Sequence, residues 1–189
     1  NLATNAGGVR VIRYGMTRKW VMGVTAVTMD GSILKLQNGL EKNNCGYDLL
    51  QLLIGSEGTL AVITEAILKL AQLPKQSNVF LFAVKDLDAV RAIFAEARTG
   101  PFFIQAFEFF SERCLETVQE KLKRRAKLKE KAPFYVLLDI EPHLHADIDG
   151  WLEKVLENKS VVDAMMGQTS VEIKEIWGLR EGITESIAL

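Results

Sequence analysis

The chain has 189 residues, 48% of them hydrophobic and 25% charged, with 23 lysines and arginines against 24 aspartates and glutamates. This composition excludes a disordered or collagen-like chain, and the length suffices to bury a sizeable core in one domain or two small ones. A formal net charge of −1 gives no global reason to expect nucleic acid or an acidic membrane surface as a partner. No apolar run approaches the ~20 residues of a membrane helix. The two cysteines, Cys45 and Cys114, match no metal or redox spacing, as expected of a reduced, intracellular protein. The chain starts at Asn1 in a small-residue run and stops at Leu189 inside an amphipathic one, so it reads as an internal fragment of a longer protein.

Taken in order, residues 21–29 and 32–36 read as a hairpin around Asp30-Gly31, a pair suited to a two-residue turn. Residues 47–54 read as a short buried helix ended by Gly55. The loop 55–59 leads into a strand at 61–70, where alternation places Val62, Thr64, Ala66, Leu68 and Leu70 on one face. Pro74 and the polar residues 75–78 mark a linker. Beyond it, strands are expected at 79–84, 102–110, 134–140 and 161–166. Helices are expected after Asp86, from Ser111 through Ala126, around 146–158, and from Ser170 onward. This β-α-β-α-β-α-β-α order suits a ferredoxin-like α+β layer as well as a parallel sheet.

Three segments carry possible chemistry. In Thr4-Asn5-Ala6-Gly7-Gly8, small residues let the backbone approach a flat ring or a phosphate, and Thr and Asn supply hydrogen bonds; the alternative is a tight turn. Gly55-Ser56-Glu57-Gly58-Thr59-Leu60 can present free backbone N–H groups to an anion or a cofactor, or simply connect two elements. In Trp177-Gly178-Leu179-Arg180-Glu181-Gly182-Ile183-Thr184, a helix puts Arg180 and Thr184 on one face. A guanidinium and a hydroxyl there would clamp a carboxylate; a surface Arg–Glu ion pair is the plainer reading. His143-x-His145 reads as a solvated loop rather than a metal site. The basic run Lys121, Lys123, Arg124, Arg125, Lys127, Lys129 and Lys131 reads as a solvated helix end, or as a helix at 121–131 that meets an acidic partner. There is no Ser-His-Asp signature, no Gly-Lys-Ser/Thr phosphate loop and no Gly-x-Gly-x-x-Gly opening a helix.

Together the segments NLATNAGGVRVIRYG, KNNCGYDLLQLLIGSEGTLAVITEA and WGLREGITESI, in this order and spacing, resemble the flavin-linked oxidases and dehydrogenases of the vanillyl-alcohol-oxidase type. Within that family the resemblance is strongest to enzymes that oxidise D-2-hydroxy acids. It implies an α+β chain incomplete at both ends. Residues 1–72 would be the second half of a PCMH-type FAD-binding domain, and residues 73–189 the N-terminal portion of a ferredoxin-like cap domain that holds the substrate. It further implies that Thr4, Asn5, Ala6, Gly7, Gly8, Glu57, Gly58 and Ile63 bind FAD and that Arg180 and Thr184 bind the substrate carboxylates.

The implied reaction takes a D-2-hydroxy acid to its 2-oxo acid by hydride transfer to flavin. D-2-hydroxyglutarate is the first substrate, with D-lactate and glycolate as alternatives. The family's paired histidines, which hold a divalent metal such as zinc and take the hydroxyl proton, would lie beyond Leu189. No catalytic residue and no metal ligand is therefore expected within this chain, which is expected to be inactive by itself. The implied electron acceptor is an electron-transfer flavoprotein, a quinone or an iron–sulfur subunit, and the implied location is the cytoplasm, or the mitochondrial matrix in a eukaryote. Ala61 stands where the family usually has glycine. A non-enzymatic interaction module using the basic run is the rival from another class.

Overall fold

The structure, a computed structural model, describes every residue except Asn38, Glu41, Asn43, Asn44, Cys45 and Leu189. The expectation for Cys45 thus lies outside the described residues. The chain divides into two compact units, Asn1–Leu73 and Pro74–Leu189.

The first unit opens with the one-turn helix α1 (Val11–Tyr14) and a 3-10 turn at Thr17–Trp20, neither of which the hydrophobic pattern announces. Its sheet has the order β2-β1-β3, with β1 (Val21–Val27) antiparallel to both β2 (Ile33–Gln37) and β3 (Val62–Leu68). The β1–β2 hairpin is not closed by a two-residue turn. Thr28 N–H donates to Ser32 O, Gly31 N–H donates to Thr28 O, and only Gly31 is left-handed, at φ +84°. A two-residue turn would force Asp30 to positive φ as well. Asp30 instead accepts from the Ser32 N–H and hydroxyl, which stabilises the longer loop.

Helix α2 (Leu49–Leu53) is capped by Asp48, which accepts from Gln51 N–H at 3.3 Å, and Gly55 follows at φ +87°. Val21, Val24, Ala26, Leu53, Ile54 and Ala61 form the core, with Ile63 and Ala66 packed against it. The expected face of β3 is therefore wrong: Val62 and Leu68 are exposed, whereas Ile63 and Ala66 point inward. A bulge is the cause. The pairing steps from Ala26↔Ile63 to Thr25↔Glu65, so Thr64 is an extra residue that reverses the alternation. The Ala61 methyl is buried in the core.

In the second unit, β4 (Asn78–Val84), β5 (Phe102–Ser111), β6 (Phe134–Pro142) and β7 (Val161–Gly167) form one sheet of order β5-β6-β4-β7, all neighbours antiparallel. This is the ferredoxin-like strand order, and it removes the parallel-sheet alternative. Helices α3 (Leu87–Arg98) and α5 (Ile148–Leu156) cover one face. Each is capped by an aspartate, Asp86 accepting from Ala89 N–H at 2.7 Å and Asp147 from Gly150 N–H at 2.9 Å. The core there is aromatic, with Trp151 edge-on to Phe80, Phe82 and Phe102.

Two further helices, α4 (Glu112–Leu122) and α6 (Ser170–Ala188), pack together and serve the other face, which bears Leu81, Tyr135, Leu137 and Asp139. Helix α4 stops earlier than the pattern predicts, at Lys123, which is left-handed with φ +57°. Ala126 and the basic residues from Lys123 to Lys131 therefore lie outside any helix. There, Glu130 N–H and Lys129 N–H donate to Asp163 on β7, tying the segment to the sheet edge.

Candidate functional site

Helix α6 is started by a reciprocal cap. Thr169 Oγ1 accepts from Glu172 N–H at 3.3 Å, while Glu172 accepts from Thr169 N–H at 3.0 Å and from the Thr169 hydroxyl at 2.9 Å. The Thr169 N–H, the Thr169 hydroxyl and the Gln168 N–H, in that order, hold the Glu172 carboxyl below its ordinary range. The Thr-x-x-Glu spacing of residues 169–172 is the sequence signal that marks this start. Two turns on, Trp177 donates its indole N–H to the buried Asp139 at 3.1 Å, which fixes the helix against β6.

Arg180 comes next on the same helix. Its Nε lies 2.8 Å from Oε2 of Glu108 on β5, and its Nη2 lies 2.8 Å from the same oxygen. The two side chains are 27% and 22% exposed, so the pair is partly withdrawn from solvent. Thr184, one turn later, is exposed. The expected i, i+4 arrangement of Arg180 and Thr184 is present, but the ion-pair partner is Glu108, a residue the sequence reading did not single out. Only the strand order and the docking of α6 bring residues 72 positions apart in sequence together.

In the first unit, Thr4 to Gly8 form a turn: Asn5 N–H donates to Leu2 O and Ala6 N–H to Asn1 O, with Asn5 left-handed at φ +48°. The Asn5 side chain accepts from Arg18 N–H at 3.0 Å, and the Thr4 hydroxyl donates to Asn1 O. These side chains stabilise the turn. Gly55 N–H and Glu57 N–H donate to Leu2 O and Ala3 O at 3.2 and 2.8 Å, so the two suspected loops lie side by side. Arg18, also missed in the sequence, ties the first loop to the end of α2: its N–H donates to Asn5, and its guanidinium donates to the carbonyls of Gln51 and Ile54 at 2.7 and 2.6 Å.

The joined loops present bare backbone. A methyl added at Gly8 or Gly58 would meet nothing within 4 Å. Among the described residues the N–H groups of Gly7, Gly8 and Gly58 donate to nothing. Gly58 and the exposed Glu57 are both left-handed, at φ +80° and +51°. A flat ring or an acceptor oxygen can approach the backbone at Gly8 and Gly58, where no side chain intervenes, whereas at Gly7 the Met16 side chain fills that space. Ile63 differs: it is half-buried, pairs with Ala26 and packs on the core.

Three of the seven residues of the basic run form salt bridges with described residues. Arg124 pairs with Glu185, Lys127 with Glu175, and Lys131 with Glu112 and Glu116. An open cavity of about 790 Å³ between this segment and α6 is lined by side chains of both signs, Arg125 and Lys174 beside Glu175 and Glu181. The basic helix that the interaction reading required is absent. His143 is exposed, its ring edge-on to Phe103, and His145 is exposed and left-handed at φ +60°. Among the described residues no three His, Cys, Asp or Glu side chains gather to hold a metal, and no helix is long and apolar enough to cross a membrane. Cys114 is a free thiol, 3.4 Å from the Ser111 hydroxyl.

A family model described as FAD linked oxidases, C-terminal domain, matches residues 73–189. Among curated proteins, the chain is 42% identical to a D-2-hydroxyglutarate dehydrogenase of Xanthomonas citri pv. viticola, over 100% of the chain and 40% of that protein. It is 39% identical to the mitochondrial D-2-hydroxyglutarate dehydrogenase of Bos taurus, over 100% of the chain and 35% of that protein. Its length thus spans two fifths or less of these two relatives. Among solved structures, an alkyldihydroxyacetonephosphate synthase superposes with a TM-score of 0.63 at 19% identity, over 98% of the chain and 36% of the synthase. At that identity the likeness is one of fold. The chain belongs to the FAD-linked oxidases, and residues 73–189 are part of their C-terminal domain.

Proposed function

We propose that the whole protein is an FAD-dependent dehydrogenase that oxidises a D-2-hydroxy acid, D-2-hydroxyglutarate first, to the corresponding 2-oxo acid. The observation that carries this reading is the partly buried, Glu108-held Arg180 in a chain whose matched relatives are D-2-hydroxyglutarate dehydrogenases. In this reading residues 1–72 are the second half of the FAD-binding domain and residues 73–189 begin the substrate domain.

When bound, FAD supplies the acceptor for the hydride that leaves the substrate's α-carbon. The chain's own part is to bind and orient. The N–H groups of Gly7, Gly8 and Gly58 hold cofactor oxygens, and the left-handed Glu57 turns that backbone outward. Arg180 takes the substrate carboxylate through its unoccupied nitrogen, with the Thr184 hydroxyl beside it, and so fixes the carbon from which hydride departs. Thr4 and Asn5 contribute by shaping the loop, and Ile63 by backbone placement in β3. A divalent metal and the base for the hydroxyl proton belong to residues outside this chain. The electron acceptor is an electron-transfer flavoprotein, a quinone or an iron–sulfur subunit, and the protein works in the cytoplasm, or in the mitochondrial matrix of a eukaryote.

The test is the visible spectrum of the full-length protein, recorded anaerobically before and after D-2-hydroxyglutarate, D-lactate and glycolate in turn. Bleaching of the flavin band by D-2-hydroxyglutarate first supports the reading. Bleaching by one of the others alone replaces the substrate, and a protein that cannot be loaded with FAD overturns it. Arg180→Ala is expected to raise KM strongly.

A further inference from the structure

We infer that Glu108 is a positioning residue for carboxylate recognition and acts through Arg180; the inference rests on the role proposed above for Arg180. A guanidinium has two edges that meet a carboxylate through parallel hydrogen bonds, one formed by Nε and Nη2 and one by Nη1 and Nη2. Glu108 holds the first edge, with Oε2 at 2.8 Å from both Nε and Nη2. Nη1 donates to nothing among the described residues. The second edge is therefore presented, and only that edge.

Both anchors of this arrangement are rigid. Glu108 lies on β5 opposite Leu137 of the buried strand β6, so its position is set by the sheet. Arg180 lies on α6, held one turn earlier by the Trp177–Asp139 hydrogen bond. A free arginine side chain has four rotatable bonds, and a ligand that had to order them would bind less tightly. With one edge clamped, that ordering accompanies folding rather than binding. Glu108 also keeps a cation acceptable at a position only 27% exposed. Its carboxylate uses one oxygen on one edge, which leaves room for a second carboxylate on the other.

The experiment uses the full-length flavoprotein, with flavin content from its visible spectrum and steady-state kinetics on D-2-hydroxyglutarate. Glu108→Ala is expected to raise KM about tenfold, to lower kcat by much less, and to keep the flavin content of the wild type. Glu108→Gln, which retains an acceptor for the same edge, is expected to recover most of that KM. Glu108→Ala added to Arg180→Ala is expected to change KM no further than Arg180→Ala alone. An unchanged or lowered KM in Glu108→Ala overturns the inference, a lowered one by showing that Glu108 competes with the substrate. Additive effects in the double variant, or flavin loss matching the activity loss, overturn it as well, since Glu108 would then act on folding. If Arg180→Ala itself leaves KM unchanged, the reading of Arg180 falls first.

Discussion

The indole N–H of Trp177 donates to the carboxylate of Asp139 at 3.1 Å, and both residues are buried. Asp139 is fully enclosed in the central strand β6 and also accepts from the Ser77 hydroxyl. This bond sets where α6 docks, and so where Arg180 stands relative to β5. Trp177→Phe keeps most of the ring but removes the donor. It is expected to cost about 2 kcal/mol of stability, because a buried carboxylate loses a partner it cannot replace with water. Denaturant unfolding of the variant against the parent measures it.

The cap of α6 gives a second expectation. Thr169→Ala removes the acceptor for Glu172 N–H and one of the donors to the Glu172 carboxylate. A loss of about 1 kcal/mol is expected, read from the shift in denaturant midpoint at constant slope.

Two glycines on α6 should respond in opposite directions. A methyl at Gly182 would stand 3.0 Å from Leu122 Cδ1 and Arg124 Nη1, and 3.2 Å from Cγ1 of the fully buried Val118. A methyl at Gly178 would find nothing nearer than Arg124 Cδ at 3.8 Å. Gly178→Ala is therefore expected to stabilise by up to about 1 kcal/mol through helix propensity. Gly182→Ala is expected to destabilise by about 1 kcal/mol, because the crowding exceeds the same gain. Thermal or denaturant melts of the two variants side by side give the comparison.

Asp163 ties the segment after α4 to β7 and gives a pH dependence. Burial acts to raise its carboxyl, but the N–H groups of Glu130, Lys129 and Ala164 together outweigh this and hold it below the ordinary 3.8. A folded-state value below the unfolded one means that the stabilisation is complete above pH 3.8 and is lost as pH falls through the folded value. Asp163→Asn should therefore be less stable than the parent at neutral pH, and the difference should shrink below pH 3.8. Unfolding midpoints at several pH values between neutral and acid would show whether the gap closes.

Much of the fold was legible in the sequence, since it follows from local rules. The cap Asp86 and the apolar periodicity of strands and helices act over a few residues, and each expected strand and helix is present, although α2, expected to be buried, buries only Leu53. The turn at Asp30-Gly31 differed for a local reason, the hydrogen bonds of Asp30 to Ser32, but two other failures arose where a non-local partner intervened. Thr64 is left out of the pairing of β3 with β1, which turns both Ile63 and Ala66 inward. The helix expected to run on to Ala126 ends at Lys123, beyond which Asp163 gathers the N–H groups of Lys129 and Glu130.

The suspected site divides along the same line. From the residues by themselves follow the small-residue loops 4–8 and 55–59 and the one-turn spacing of Arg180 and Thr184, because glycine content and helical period are properties of the chain. That Arg18 ties the Asn5 turn to the end of α2, and that Glu108 takes one edge of Arg180, was decided only by tertiary structure. Both depend on hydrogen bonds between residues far apart in sequence, 33 and 36 positions for Arg18 and 72 for Glu108. No local pattern encodes such pairings, because the strand order and helix docking that make them close are settled by burial of the whole core.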